Sequence, residues 1–562
     1  MTVSMEKNSI SPQRHRPRIY NILGPMVPID WFSKHFIFTM STFIWLVSSV
    51  PMRAQSLCPS KCACMDDKLS VNCKDAALDD VPIILNPAIL ELNLVNNHIR
   101  SISEAFGFYP SLQFLDLSSN WISSLEHNRF MNHKNLRVLR LQRNKLTRIE
   151  PLSLRGLFNL ELLHLNENQL TELNDKVFDG LRRLEKLDLS QNRITNISTS
   201  AFAGLINLKS LSLRNNRLLN IPSDALIHVS TTLLKFDLGK NPIPTIGEDS
   251  FRKMSQLVDL RLDQCLIATI SSKFSYHLKS LRRINLDGNQ LIELDSSWFS
   301  GLNRLEDIVL SGNQFTNIPA AIFTSSGSSL KRIDLRNNQL LSTIDRDALI
   351  GLIHLKRLIV DSTPQLSELP QGLFRDNFYT IRELSLRNSS ILSLDEGLLS
   401  WETLKFLDIR DNPLTCDCLI RWLLFYLIRA NFTTNEYNER VLCASPEELR
   451  GRPLMTLDKS DLNCPNPSHT LAIAIIFYTI VVLVLIGVPI ITWRRNRMPT
   501  WIYMSHSHSK IDVTSEQKDA LVPEKRVGSM NQVIFQPITT GHHTPTIVHV
   551  RSPSQKGRIY RV

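Results

Sequence analysis

Between its two ends the chain lacks an excess of charge of either sign. The net charge of +11 resides at the termini: residues 1–55 hold six Lys or Arg against two acids, residues 494–562 eleven against four, and the remainder 47 against 47. A general affinity of the bulk of the chain for nucleic acid or an anionic membrane surface is thereby excluded. Recurrent catalytic signatures are missing as well, with no phosphate loop, no G-x-S-x-G and no H-E-x-x-H. Nothing brings nucleophile, base and metal ligands toward one cleft, so the reading is a non-enzyme that calls for no cofactor and no metal. Apolar residues are abundant. At 43% hydrophobic and 21% charged, the chain is not disordered throughout, and 562 residues exceed one ordinary domain unless a repeat array extends it.

The nine cysteines fall in two even clusters around a single one: Cys58, Cys62, Cys64 and Cys73, then Cys265, then Cys416, Cys418, Cys443 and Cys464. Even clusters at both ends of a long segment point to disulfides in an oxidising compartment. Two uncharged runs agree. Phe36 to Val50 follows Lys34 and several arginines and is short for a span, which suits a signal-peptide region over 1–54 with cleavage between about Ser49 and Ala54. Its leader is long, a start at Met26 would shorten it, and an uncleaved anchor is the rival reading. The second run, Leu471 to Thr492, has 22 uncharged residues, long enough for a transmembrane helix over 471–493. Trp493, Arg494, Arg495 and Arg497 follow it and mark a cytoplasmic side. These features read as a single-pass type I plasma-membrane protein with its N-terminus outside.

Between the clusters the frame L-x-x-L-x-L-x-x-N-x-L recurs, with asparagine at 97, 120, 144, 168, 192, 216, 241, 289, 313, 338 and 412. Cys265, Thr363 and Ser389 fill the same slot in three more frames, giving fourteen repeats over 89–415. Alternation within the frame sends Leu184, Leu187, Leu189 and Ile194 inward and the intervening residues outward, as a short strand requires. One unit of about 24 residues cannot bury its apolar edge, so neighbours must stack into a parallel sheet at about 4.8 Å per repeat. The asparagines then form a ladder that satisfies backbone groups at the turn. Phe106, Phe130, Phe178, Phe202, Phe251, Phe274, Phe299, Phe323 and Phe374 repeat at a second apolar position, the outer half of the core. Cys265, inward in an asparagine slot, reads as a buried free thiol.

Such a solenoid exposes its interior at both ends and needs caps, and the cysteine clusters stand there: Cys58-Pro-x-x-Cys62-x-Cys64-x8-Cys73 before it, Asn412-Pro-Leu-x-Cys416-x-Cys418-x24-Cys443-x20-Cys464 after it. Residues 58–464 thus resemble an extracellular leucine-rich-repeat domain with cysteine-capped flanks, 58–88 and 416–464. The fold expected is an α/β-type solenoid, a horseshoe with its parallel sheet on the concave face. Spacing alone leaves three connectivities per cap. The resemblance implies Cys58 with Cys64, Cys62 with Cys73, Cys416 with Cys443 and Cys418 with Cys464. Within the family, fourteen repeats, one span and a short tail are similar to the neural adhesion proteins Tartan and Capricious.

Function should sit on the outward positions of the sheet. Arg137, Arg140 and Arg143 lie on one strand, with Glu161, His164, Glu167 and Asp188 on the next two. Stacking sets Arg140 beside His164 and Arg137 beside Glu161, and three arginines exceed what those pairs require, so a partner's carboxylates are expected there. The ligand-binding candidates are therefore Arg137, Arg140, Arg143, His164, Glu167 and Asp188. A second basic stretch, from Arg282 to Arg387, is interrupted by Glu306, Asp307, Asp334 and Asp361. Phe114 and Phe406 are the only aromatics in display positions, too few to stack bases. Sequons stand at Asn196, Asn388 and Asn431. The tail, 494–562, is polar and without helical periodicity; its end, Tyr560 to Val562, fits strand addition to a cytoplasmic PDZ scaffold. The reading is a receptor for an extracellular protein or a second copy of itself, in adhesion or neuronal recognition. The alternatives are an innate immune, Toll-like accessory receptor, opposed by the small tail, and a co-receptor or sink for a secreted growth factor.

Overall fold

The computed structural model describes residues 58–324, 329–430, 437, 439–458, 460–462 and 467–495. The signal-peptide region, Asn431, Cys464 and the tail with Tyr560 and Val562 lie outside them. The chain divides into two compact units at Leu471 and Ala472, and each is described by itself.

In the first unit sixteen strands form one sheet. Two precede the repeats, β1 (Ala63–Met65) and β2 (Ser70–Asn72), paired antiparallel. The next seven are β3 (Glu91–Asn93), β4 (Phe114–Asp116), β5 (Val138–Arg140), β6 (Leu162–His164), β7 (Lys186–Asp188), β8 (Ser210–Ser212) and β9 (Lys235–Asp237). The sheet is completed by β10 (Asp259–Arg261), β11 (Arg283–Asn285), β12 (Asp307–Val309), β13 (Arg332–Asp334), β14 (Arg357–Ile359), β15 (Glu383–Ser385) and β16 (Phe406–Asp408). From β2 onward every pairing is parallel, for example Leu139 beside Leu163 beside Leu187. Each repeat strand has three residues because the chain turns as soon as its central side chain is buried. Leu163, fully buried, stands between half-exposed Leu162 and His164.

The turn is held by the asparagine slot. Asn168 Nδ2 donates to the Leu165 carbonyl at 3.0 Å and to Leu141 of the preceding repeat at 2.9 Å, while its Oδ1 accepts from the Leu146 amide at 3.1 Å. One amide thus satisfies three backbone groups that would otherwise be buried and unpaired. The position just before the slot is left-handed in repeat after repeat: Arg143, Glu167, Gln191 and Lys240 have φ of 58°, 55°, 55° and 58°. Gly288 and Gly312, at 64° and 62°, adopt the same conformation without a Cβ penalty. Behind the sheet all nine phenylalanines of the second apolar row are buried, none above 1% exposure, so that row is core.

Disulfides close both ends: Cys58 with Cys64, Cys62 with Cys73, and Cys416 with Cys443. Cys418 is also disulfide-bonded. The C-terminal cap adds helix α1 (Arg421–Ala430), which buries Leu423, Leu424 and Leu427. Cys265 is a free thiol, fully buried, with Sγ 3.3 Å from the Leu238 carbonyl.

Among the described residues no helix is long and apolar enough to cross a membrane. The expected span falls on α2 (Pro467–Arg495), a helix of 29 residues whose side chains are described continuously only over 472–486. The ends of that span lie outside the described side chains.

Candidate interaction surface

Parallel register brings the candidate residues together on three adjacent repeats, those of β5, β6 and β7. Arg140 on β5 stands opposite His164 on β6, and His164 opposite Asp188 on β7. The arginines do not stand free, which corrects the expectation of surplus positive charge. Arg137 pairs with Glu161 at 2.8 Å and Arg143 with Glu167 at 2.9 Å. Arg140 turns away from His164 to Asp116 on β4, 3.2 Å away, and lies over the Phe114 ring at 5.1 Å. The third acid comes from the preceding strand because the Asp116 carboxylate is nearly buried, with 7% of its side chain exposed, and a buried carboxylate needs a partner more than an exposed arginine does.

The surface separates the candidates into groups. Arg143, His164, Glu167 and Asp188 line one shallow depression of about 360 Å³, floored by Gln142 and Asn166. Arg137 lines another, of about 310 Å³, with Glu161 and Arg183. Arg140 lines neither. Burial holds the His164 imidazole below its ordinary pKa, with Asp188 pulling the other way and Arg140 adding to the fall. Three buried atoms nearby, Arg140 Nε, Gln142 Oε1 and Asn166 Oδ1, have no hydrogen-bond partner among the described residues.

Charge matching continues along the sheet. Glu306 takes Arg282 at 2.5 Å and Lys331 at 2.9 Å; Lys331 first, and then Arg282 against the effect of burial, hold its carboxyl below the usual range. Fully buried Asp334 is shared by Arg332 at 2.6 Å and Arg336 at 2.7 Å. Arg283 reaches Asp259 at 3.0 Å, and Arg387 reaches Asp411 at 3.1 Å. One bridge skips a repeat: Arg214 crosses Gly239 to reach Asp263 at 2.5 Å. A Cβ on Gly239 would collide with that guanidinium, so the glycine opens the path.

Of the sequons, Asn196 is exposed on the two-residue strand Asn196–Ile197. Asn388 is exposed at the left-handed position before its slot, donating to Ser362 Oγ at 3.2 Å. Among the described residues no group of three or more side chains is placed to hold a metal ion.

Two features were missed from the sequence. His133 is fully buried, its Nε2 donating to the Phe106 carbonyl at 3.0 Å. It occupies a column held elsewhere by Leu157, Leu181, Leu205, Leu278 and Leu302, all buried, and that column was the available signal. Near the C-terminal cap, Trp401, Trp422, Phe425 and Tyr426 line a cavity of about 810 Å³, for which only the clustering of aromatics around α1 gave a hint.

Comparison with known proteins fits this geometry. The family described as "Leucine rich repeat" matches seven overlapping segments between residues 110 and 364, and "Leucine rich repeat C-terminal domain" matches 440–465. Residues 110–364 thus belong to the leucine-rich-repeat family, with its C-terminal domain over 440–465. It is similar to leucine-rich repeat transmembrane protein FLRT2 of Rattus norvegicus, 27% identical over 43% of this chain and 36% of the relative. Trophoblast glycoprotein of Macaca fascicularis is 28% identical over 42% of this chain and 60% of its own length, and human vasorin 29% over 38% and 29%. The matches therefore span less than two thirds of each relative. Among solved structures, Leptospira interrogans protein LIC12759 aligns with TM-score 0.51 and 26% identity over 59% of this chain and 81% of its own. The protein of a TLR13–ssRNA13 complex aligns with TM-score 0.50 and 22% identity over 68% of this chain and 63% of its own, a likeness of fold.

Proposed function

We propose that this leucine-rich-repeat protein is a cell-surface receptor whose sheet face binds another protein in cell adhesion or neuronal recognition. The observation that carries the reading is the sheet face itself. Fourteen repeat strands present side chains in fixed register, with charges matched from strand to strand and a depression at Arg143, His164, Glu167 and Asp188. Such a surface can recognise a partner by shape and charge pattern, whereas it lacks the protected cleft that chemistry needs. The relatives named above, one of them a transmembrane protein by name, support a place at the cell surface. The reading includes a single span over 471–493 with the N-terminus outside, glycans at Asn196, Asn388 and Asn431, and capture of Tyr560 to Val562 by a PDZ scaffold. The narrower likeness to Tartan and Capricious rests on architecture.

The test is a mixing assay in which cells expressing the full chain meet labelled non-expressing cells. Clusters of expressing cells alone are the expected outcome for homophilic adhesion, and mixed clusters for a heterophilic partner. Absence of any clustering would remove adhesion and favour a co-receptor. Deleting Tyr560 to Val562 should leave surface delivery intact and abolish PDZ capture.

A further inference from the structure

The edge of the solenoid that follows the strands is charged differently from the sheet. In the first six frames, the four positions after each asparagine carry Arg100, Lys145, Arg148, Arg193 and Arg217 against one acid, Glu172. From Asn241 onward the same positions carry no Lys or Arg, and one acid, Glu293. Lys240, just before Asn241 at the frame position of Arg143, adds one more exposed cation beside the end of the row. Arg148 pairs with Glu150 at 2.5 Å. Arg100, Lys145, Arg193, Arg217 and Lys240 are exposed, and none has an ion pair among the described residues. This contrasts with the sheet face, where most arginines have a carboxylate.

Trp121 organises one end of the row. Its ring, 40% exposed, has the Arg100 guanidinium at 5.5 Å, Lys145 Nζ at 5.0 Å and the His98 ring at 4.6 Å. Cation–π attraction holds the two cations in place before any ligand arrives, which lowers the ordering cost of binding. Beside them runs a column of exposed hydroxyls, Ser123, Thr147, Thr171 and Thr195. Its backbone is tied from repeat to repeat, Thr171 to Thr147 at 3.3 Å and Thr195 to Thr171 at 2.9 Å. Seven frames at about 4.8 Å make a row about 29 Å long.

We propose that this edge, from Arg100 to Lys240, binds a linear sulfated polysaccharide of the cell surface or matrix. Cations without ion pairs along one edge, a column of exposed hydroxyls beside them and no deep pocket suit an extended polyanion. A folded protein partner would need a central apolar anchor cluster, and the row offers only Trp121 and Leu219 as exposed large apolar side chains. Single-stranded nucleic acid would need successive stacking platforms, and there is one. The disulfides place the edge in a compartment where sulfated polysaccharides occur.

The test is retention of the detergent-solubilised full chain on immobilised heparin under a salt gradient. The wild type should elute above about 0.15 M salt. Replacing Arg100, Lys145, Arg193, Arg217 and Lys240 by glutamine should weaken retention at least about tenfold. A control removes five exposed cations elsewhere, Lys134→Gln, Arg155→Gln, Arg182→Gln, Lys279→Gln and Arg304→Gln, and should elute with the wild type. If the fivefold edge variant does not fold, Arg193→Gln with Arg217→Gln should show about a threefold loss. Trp121→Ala should give a smaller loss than the fivefold variant. Equal losses in edge variant and control, no retention of the wild type, or equal retention on desulfated heparin or poly(U) would each overturn the proposal.

Discussion

The most informative perturbation of the sheet face is neutralisation of its three arginines, not reversal. Glutamate at 137, 140 or 143 would meet Glu161, Asp116 or Glu167, so reversal would mix repulsion within the fold with loss of a partner contact. Glutamine removes the charge alone. Arg137 and Arg143 have 56% and 64% of their side chains exposed, and such pairs contribute about 0–1 kcal/mol each. Arg140 is 38% exposed against Asp116 at 7%, a hydrogen bond to a charged group contributing about 1.5–3 kcal/mol. Asp116 is not orphaned by its loss, since Ser118 still donates through its amide at 3.0 Å and its hydroxyl at 2.6 Å. The double variant Arg137→Gln, Arg143→Gln should therefore fold nearly as well as the wild type, and the triple variant somewhat less well. If a partner places carboxylates against these arginines, the double variant loses about 2 kcal/mol of binding, roughly a 30-fold fall in affinity. The wild-type interaction should also weaken with salt. The assay is cell clustering, or capture of the partner, at matched surface levels and two ionic strengths. Undiminished binding by a normally displayed double variant would show that the arginines serve only to neutralise their neighbours, and would move the ligand site elsewhere on the solenoid.

Three further outcomes follow from buried groups. Burial pushes the Cys265 thiol up to about 11, so it should resist maleimide at pH 8 in the folded chain and react after denaturation; labelling of the native chain would contradict its place in the core. Asn192→Ala leaves the Leu165 and Leu189 carbonyls and the Leu170 amide without their 3.0 Å partners, and should cost about 3 kcal/mol or more in denaturant titration, whereas Gln191→Ala, exposed next to it, should cost far less. Burial also lowers the His133 pKa, so the stability it contributes is present above about pH 6.5 and lost as pH falls below that value; His133→Leu should flatten the dependence of stability on pH below about 6.5, and an unchanged slope would show that other groups dominate.

How much of this was legible in the sequence depended on whether a residue's environment is set by its own repeat. Leu163, Asn168 and Phe178 are placed by the frame in which they stand, so periodicity alone fixes their burial. The pair Arg137 and Glu161 was legible too, since equal frame positions on neighbouring strands must meet. Arg140 was not, because register made both His164 and Asp116 its neighbours and said nothing about which way the side chain turns. Arg214 is harder still. Its reach to Asp263 passes over an intervening repeat and depends on the missing side chain of Gly239. The left-handed position left a partial signature: Asn96, Asn215, Gly288, Gly312, Asn337, Asn388 and Asp411 are residue types that adopt such a backbone readily, whereas Arg143, Glu167 and Lys240 conceal it; the turn imposes it on whatever precedes the slot.

The contrast between the sheet and its edge has a physical consequence for recognition. On the sheet, Arg137 with Glu161, Arg140 with Asp116 and Arg332 with Asp334 largely cancel each other's field beyond a few ångströms, so the face cannot draw a partner from a distance. A partner gains there only by matching the pattern closely enough to replace pairs that already exist, and a mismatch leaves a desolvated charge unpaired. That arrangement favours discrimination over attraction. The edge does the reverse. Arg193, Arg217 and Lys240 form no ion pair among the described residues, and their summed field extends to about a Debye length, roughly 8 Å at physiological salt. Such a field raises association rates for any extended polyanion while discriminating little between sequences of charge. A receptor that must hold position in a crowded matrix yet answer to one protein needs both properties, and they conflict if placed on one surface. Under the two proposals they fall to different parts of the same repeat, the strand and the turn around the asparagine slot.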